Sequence, residues 1–178
     1  MQYPWQHTDS SLSIELLKSN MSDYFIETGT NTGFGVLKAL EAGFKHIISI
    51  DIEDEFVVNA KSRFNEELYP QIKFDFWHGD SGVLMPQMIS EIKTPATFWL
   101  DGHSFHQIPL LKELEAIRNH HIKEHILLID DVRMFNTHEW DNVGHSNIVD
   151  LVKSINKNYK ITYYDSYNGK NDILIAKV

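Results

Sequence analysis

Short apolar runs alternate with stretches of helical periodicity along the chain. Tyr24-Phe25-Ile26, His46 to Ile50, Ile72 to Phe76, Ala96 to Leu100 and Ile126 to Ile129 each read as a buried strand. Between them apolar residues recur at helical spacing. Val36, Leu37 and Leu40 form one such set, and Phe56, Val57, Ala60 and Phe64 a second. Leu84, Met88 and Ile92 mark a third. Leu110, Leu111, Leu114 and Ile117 are expected to bury a fourth helix, and Ile148, Leu151, Val152 and Ile155 a further one. A short helix over Leu12 to Lys18, capped by Ser10 or Ser11, precedes the first strand. Gly43 is placed to end a helix, and Pro109 to sit in the first turn of another. The chain closes with Lys160 to Tyr164 and Asp172 to Val178, around an Asn-Gly turn signal at Asn168-Gly169. With no helix between them, these two runs must pair antiparallel or lie in different sheets. The alternation predicts an α/β fold with a mainly parallel sheet. No repeat or linker interrupts it, so residues 1–178 read as one domain, with 1–22 a short helical cap and 23–178 the core.

Composition narrows this picture. At 178 residues, 42% of them apolar, the chain can bury one substantial core and is not disordered. No apolar run approaches the ~20 residues of a membrane span. The start, Met1 to His7, lacks the basic segment and apolar core of a secretory leader. There are no cysteines, which excludes disulfides, thiolate metal sites and a cysteine nucleophile, and fits a cytoplasmic protein. Lys plus Arg is 16 and Asp plus Glu is 25, a net charge of −9. Such a chain repels polyanions, and no Lys/Arg cluster offsets this. A small-molecule ligand is expected rather than nucleic acid or a membrane.

In an open parallel sheet, ligands bind beyond the carboxyl ends of the strands. Here those ends carry Glu27, Asp51, Asp80, Asp101 and the pair Asp130-Asp131. Any one of them reads equally well as a helix cap; together they mark one edge. Gly29 and Gly33 in the loop after the first strand let backbone approach a ligand, and Gly35 adds another close approach. The helix that follows offers unpaired N–H groups to a carboxylate or phosphate. Asp51, one strand later, can accept hydrogen bonds from both ribose hydroxyls. The pair indicates a nucleoside-containing ligand.

Glu27-Thr28-Gly29-Thr30-Asn31-Thr32-Gly33 resembles the first motif of class I S-adenosylmethionine-dependent methyltransferases. Ser49-Ile50-Asp51 resembles their second-strand acidic motif, and His78-Gly79-Asp80-Ser81 the loop that contacts adenine. The resemblance implies a Rossmann-like, doubly wound, seven-stranded, mostly parallel sheet in the order 3-2-1-4-5-7-6, the last strand antiparallel, in three α/β/α layers. It implies S-adenosylmethionine as cofactor. Glu27, Gly29, Thr30, Asn31 and Gly33 would stand on the methionine side. Asp51 would face the ribose, Gly79, Asp80 and Ser81 the adenine, and Asp101 the reacting end, with Ile52 also among the cofactor-binding residues. Dinucleotide dehydrogenases prefer G-x-G-x-x-G, and this loop has Thr30-Asn31 in place of the second glycine.

A finer resemblance joins Trp99-Leu100-Asp101-Gly102-His103 and Leu128-Ile129-Asp130-Asp131 to the metal-dependent O-methyltransferases of catechol and macrocin type. It implies a magnesium ion, or another divalent cation, held by Asp101, Asp130 and Asp131. Carboxylates suit such a hard cation, which would hold an acceptor hydroxyl and lower its pKa. His103 is the candidate base, and equally a hydrogen-bonded loop residue; His106 reads as a residue near a helix start. His120, His121 and His125 read as surface, with no convincing zinc spacing. The acceptor site would be open, or formed by Trp5, His7, Phe105 and Met134 to Trp140, with Trp5 better read as lid packing. Exposed aromatics in that last loop would suit a homodimer. Two other readings stay open: a metal-independent N- or O-methyltransferase of the same fold, and a non-catalytic partner module.

Overall fold

The computed structural model describes residues 11–103, 108–140 and 143–178. Trp5, His7, Ser10, Phe105 and His106 lie outside the described residues. Helix α1 (Ile14–Lys18) begins later than its apolar pattern predicts, because Ser13 is the cap, its hydroxyl accepting Leu16 N–H at 3.0 Å. Strand β1 (Tyr24–Thr28), α2 (Phe34–Ala42), β2 (His46–Asp51) and α3 (Asp54–Arg63) follow. Gly43 ends α2 as expected, in the left-handed region with its N–H on Ala39 and Leu40 carbonyls. Strand β3 (Lys73–His78) runs two residues past the predicted end, since Trp77 and His78 continue the ladder opposite Ile50 and Asp51. Then come α4 (Ser81–Ile89), β4 (Ala96–Leu100), α5 (Leu110–Asn119), β5 (Ile126–Ile129), two single 3-10 turns, α6 (His145–Ile155), β6 (Lys160–Tyr164) and β7 (Ile173–Lys177). Among the described residues no helix is long and apolar enough to cross a membrane.

The seven strands form one sheet in the order β3-β2-β1-β4-β5-β7-β6. Strands β1 to β5 are parallel, and β7 runs antiparallel to both β5 and β6. The strand period of two divides the core. Ile26, Ile48, Phe98 and Leu127 face α4, α5 and α6, while Phe25, Ile47, Trp99 and Leu128 face α1 and α2 on the other side. Both faces of β4 are buried, as a central parallel strand requires. Leu111, expected in the buried stripe of α5, is 40% exposed; the stripe is Leu110, Glu113, Leu114 and Ile117, at spacings of three and four. Phe135 and Trp140 are likewise buried, packed on each other and into the core. Their loop therefore does not present the exposed aromatic pair on which a homodimer was expected.

His120 and His125 also depart from the surface reading: both are buried, and only His121 is exposed. Ala96 N–H donates to His125 Nδ1 at 3.0 Å, which makes that nitrogen an acceptor. The proton then sits on His125 Nε2, 2.8 Å from His120 Nδ1. Burial, then the adjacent His120, pushes His125 down to about 3. A base with a depressed folded pKa takes up protons on unfolding, so its contribution to stability is lost as pH falls below the unfolded value near 6.5. Denaturant unfolding at pH 7.5 and pH 5 should show wild type losing stability on acidification, and His125→Gln losing less. Equal losses in the two proteins would show that this pair does not carry the acid sensitivity.

Candidate active site

The five parallel strands end at one edge, and the loops leaving them build the site. After β1 the chain folds back on β2, with Gly29 and Thr30 N–H groups both on Ile50 O, at 2.9 and 3.2 Å. Gly29 has a φ of +86°, and a Cβ there would stand 2.6 Å from the carbonyl oxygen of Asp101. Only glycine allows this loop to touch the turn after β4. Gly35, in the first turn of α2, leaves room for Glu27: a Cβ would lie 1.8 Å from its Oε2. Glu27 is thereby 1% exposed, accepting the Ser49 hydroxyl at 2.6 Å. Burial raises it to about 8, against the Ser49 bond and with help from the Asp51 charge.

Asp51 holds both neighbouring loops. Its Oδ2 accepts Asn31 N–H at 2.8 Å and its Oδ1 accepts Glu53 N–H at 2.9 Å. Each oxygen keeps a lone pair for a further donor. Asp80 has the capping role that was its plainer reading, accepting Gly82 N–H at 2.8 Å at the start of α4. The Ser81 hydroxyl donates to buried Glu113 at 2.5 Å. Together Gly29, Asn31, Asp51, Ile52, Gly79, Asp80, Ser81, Asp101 and His103 line a cavity of about 480 Å³. A second cavity, of about 340 Å³, takes Glu27, Thr30, Asp130, Asp131 and Arg133. Gly29, Asn31, Asp101 and His103 belong to both. Gly33 lines neither; it is the N-cap of α2, packed against the Phe64 ring.

Where the cavities join, His103 lies between two acids. Its Nε2 is 2.6 Å from Asp131 Oδ2 and its Nδ1 is 3.6 Å from Asp101 Oδ1, with the ring 4.8 Å from that of Trp140. Arg133 bridges Asp131 and Asp172, the latter at 2.5 Å. Asp172 is fully buried and also accepts the Ser166 hydroxyl at 2.6 Å. The Ser11 hydroxyl donates to Asp130 Oδ2, while Asp130 Oδ1 is buried without a partner. Among the described residues two trios have ligating atoms within 4.8 Å of one another: Asp101, His103 and Asp131, and Asp130, Asp131 and Asp172. The predicted trio Asp101, Asp130 and Asp131 is thus split, with Asp131 the shared member. Burial, then the charges of Asp130, Asp131 and Glu27, raises Asp101 well above the usual range. Burial raises Asp130 to about 6, partly opposed by Ser11. Asp131, although buried, is held low by His103 and Arg133.

Three residues bonded into the candidate site escaped the sequence reading. Glu113 interrupts the apolar stripe of α5, a legible signal. Asp172 opens an apolar strand and Arg133 follows an acidic pair; neither pattern singles them out.

No protein-family model matches the chain, and no curated protein matches it. Solved structures do. The O-methyltransferase TomG of Streptomyces achromogenes, in complex with SAM, superposes with a TM-score of 0.65 at 14% identity over 93% of this chain and 77% of that one. The Bacillus cereus O-methyltransferase, in complex with SAH, gives 0.60 at 14% identity, over 93% and 78%. MycE, from the mycinamycin biosynthetic pathway and bound to Mg and SAH, gives 0.59 at 16% identity, over 86% of this chain and 44% of that one. The chain has the class I methyltransferase fold.

The Gly35–Glu27 contact has a measurable consequence. Gly35→Ala should destabilise by about 1–3 kcal/mol, as overpacking of a close contact does. In a Glu27→Ala background the same change should cost far less, because the clashing carboxylate is gone. An undiminished cost in the double variant, by denaturant unfolding, would mean that Glu27 does not set the requirement for glycine.

Proposed function

We propose that the protein is an S-adenosylmethionine-dependent methyltransferase that methylates a hydroxyl oxygen of a small molecule with the help of a divalent cation. The observation that carries this reading is the junction of the two cavities at Asp101 and His103. The nucleoside end of a donor would lie in the larger cavity, its methionine end would reach Glu27 in the smaller one, and an acceptor in the smaller cavity would meet the methyl group at the junction. The fold is that of proteins solved with SAM or SAH. Asp51 would take the ribose hydroxyls, Ile52, Gly79, Asp80 and Ser81 the adenine, and Glu27 the methionine amino group. The net charge of −9 and the acid-lined second cavity favour a small acceptor over a nucleic acid.

His103 is suited to take the acceptor's proton. Ionised Asp131 fixes the proton of the neutral ring on Nε2, leaving Nδ1 as the free base nitrogen. Asp131 also stabilises the imidazolium once Nδ1 is protonated. In-line approach of the oxygen to the methyl carbon is then a matter of positioning, which Gly29 and the Asp101 turn supply.

The residues fit a divalent cation: Asp130, Asp131 and Asp172 crowd together, Asp101 stands with Asp131 and His103, and one buried oxygen, Asp130 Oδ1, lacks a partner. Asp101, Asp130 and Asp131 would hold it, and it would lower the pKa of the bound hydroxyl. The opposing observation is Arg133, whose guanidinium already meets Asp131 and Asp172. That favours, as a second reading, a metal-independent enzyme of the same fold.

Calorimetry should detect binding of both S-adenosylmethionine and S-adenosylhomocysteine, and Asp51→Ala should weaken each by about 10–100-fold, the worth of hydrogen bonds to a charged group. Failure of wild type to bind either would end the methyltransferase reading. Once an acceptor is in hand, chelation and Asp130→Ala should each abolish turnover under the metal-dependent reading. Turnover indifferent to both selects the metal-independent one.

A further inference from the structure

Glu113 has no part in the roles above, yet it is 1% exposed and carries a carboxylate into an apolar stripe. An aliphatic side chain would continue Leu110, Leu114 and Ile117 without the cost of desolvating an acid. What the carboxylate gains is two hydroxyl neighbours. Ser81 Oγ donates to Oε1 at 2.5 Å, and the Thr28 hydroxyl stands close enough to favour the charged form of the same group. Thr28 Oγ1 in turn accepts Asp101 N–H at 3.2 Å. The turn after β4 rests on this pair: a Cβ on Gly102 would stand 2.9 Å from Thr28 Oγ1 and 3.2 Å from Glu113 Oε1.

A chain of contacts therefore runs from Asp101 N–H, bonded to Thr28, through the Gly102 turn to Glu113 and on to its bond with Ser81. It joins three backbone segments that are distant in sequence: the end of β1, the start of α4 and the turn after β4. The residues around each line the larger cavity, as Gly29, Ser81 and Asp101 do. When ionised, a carboxylate only accepts and so can face both O–H groups at once; burial raises Glu113 to about 7, against the pull of Ser81 and Thr28. A glutamine would turn an N–H₂ group toward one of them.

We propose that Glu113 is a positioning residue that ties these three segments to α5 and so holds the cavity in its binding shape. That the ligand is S-adenosylmethionine rests on the function proposed above; the tie itself does not.

Two measurements on the full chain test it. Amide hydrogen exchange of the unliganded protein should rise about ten-fold or more in Glu113→Gln over residues 28–30, 80–82 and 101–103 together, with β2 and β5 unchanged. Ser81→Ala, which cuts one link, should speed exchange at 80–82 alone, and serves if Glu113→Gln does not fold. Calorimetry should show S-adenosylhomocysteine bound about ten-fold more weakly by Glu113→Gln. Unchanged exchange in the three segments, or for Ser81→Ala at 80–82, overturns the proposal. So does faster exchange with unaltered affinity. If wild type binds no S-adenosylhomocysteine, the methyltransferase reading fails while the exchange data still decide the tie.

Discussion

A carboxylate removed from water must be given hydrogen-bond donors, a cation or a proton. The carboxyl edge of this sheet carries seven acids under that constraint, and each is met differently. Asp51 takes two backbone N–H groups. Glu27 and Glu113 take hydroxyls, from Ser49 and from Ser81. Asp172 takes a guanidinium and a hydroxyl. Asp131 takes Arg133 and the imidazole of His103. Asp101 and Asp130 are the least provided for. Asp130 retains an unpartnered oxygen, and the repulsion within the group falls on these two. Reactivity is expected where provision is incomplete.

The fold makes this concentration of charge possible. Parallel register brings the ends of β1 to β5 into one line, so that Asp51 pairs with His78 and Thr28 with both Ile50 and Leu100. The reversed β7 is as important. Because it runs antiparallel to β5, its first residues lie at the same edge as the last residues of β5. Asp172 thus reaches the turn after β5, accepting Arg133 N–H at 3.2 Å, while its own carbonyl accepts Val132 N–H at 2.9 Å. A parallel last strand would have put that residue at the far end of the sheet.

Much of this was legible in the sequence, for identifiable reasons. The strands and the strand-end acids follow from period, length and turn residues, which are local, whereas the strand order is implied by the resemblance to class I methyltransferases. Asp51 and Asp101 were found because they end strands. Features that depend on partners were not legible. His120 and His125 read as polar residues near a helix end, and only tertiary packing joins them to each other and to Ala96. The aromatics at 135 and 140 looked exposed because two short 3-10 turns, which fold them inward, leave no periodic signature. That Asp131 stands with Asp101 and His103 on one side and with Asp130 and Asp172 on the other was not legible for a similar reason. Asp131 sits in the left-handed region, with φ of +59°, and so shares partners with both acids. Backbone hand at one residue cannot be read from composition.

The remaining question at the edge is which cation balances the acids. Arg133 is fixed on one side by Asp172, so its charge reaches Asp131 but is divided between two carboxylates. His103 reaches Asp131 more closely than Asp101. Neither group bonds Asp130 Oδ1, and neither lies within hydrogen-bond distance of Asp101. A cation that met both would relieve the two acids that the protein's own donors leave most exposed to one another. A sulfonium donor seated against Asp101 would supply one positive charge on the side of the larger cavity, and a divalent ion would supply two between the strands. Asp130, which carries the unpartnered oxygen, follows β5 and lines the smaller cavity with Asp131. That position is the physical argument for an ion in addition to the donor, with Arg133 holding Asp131 in place for it.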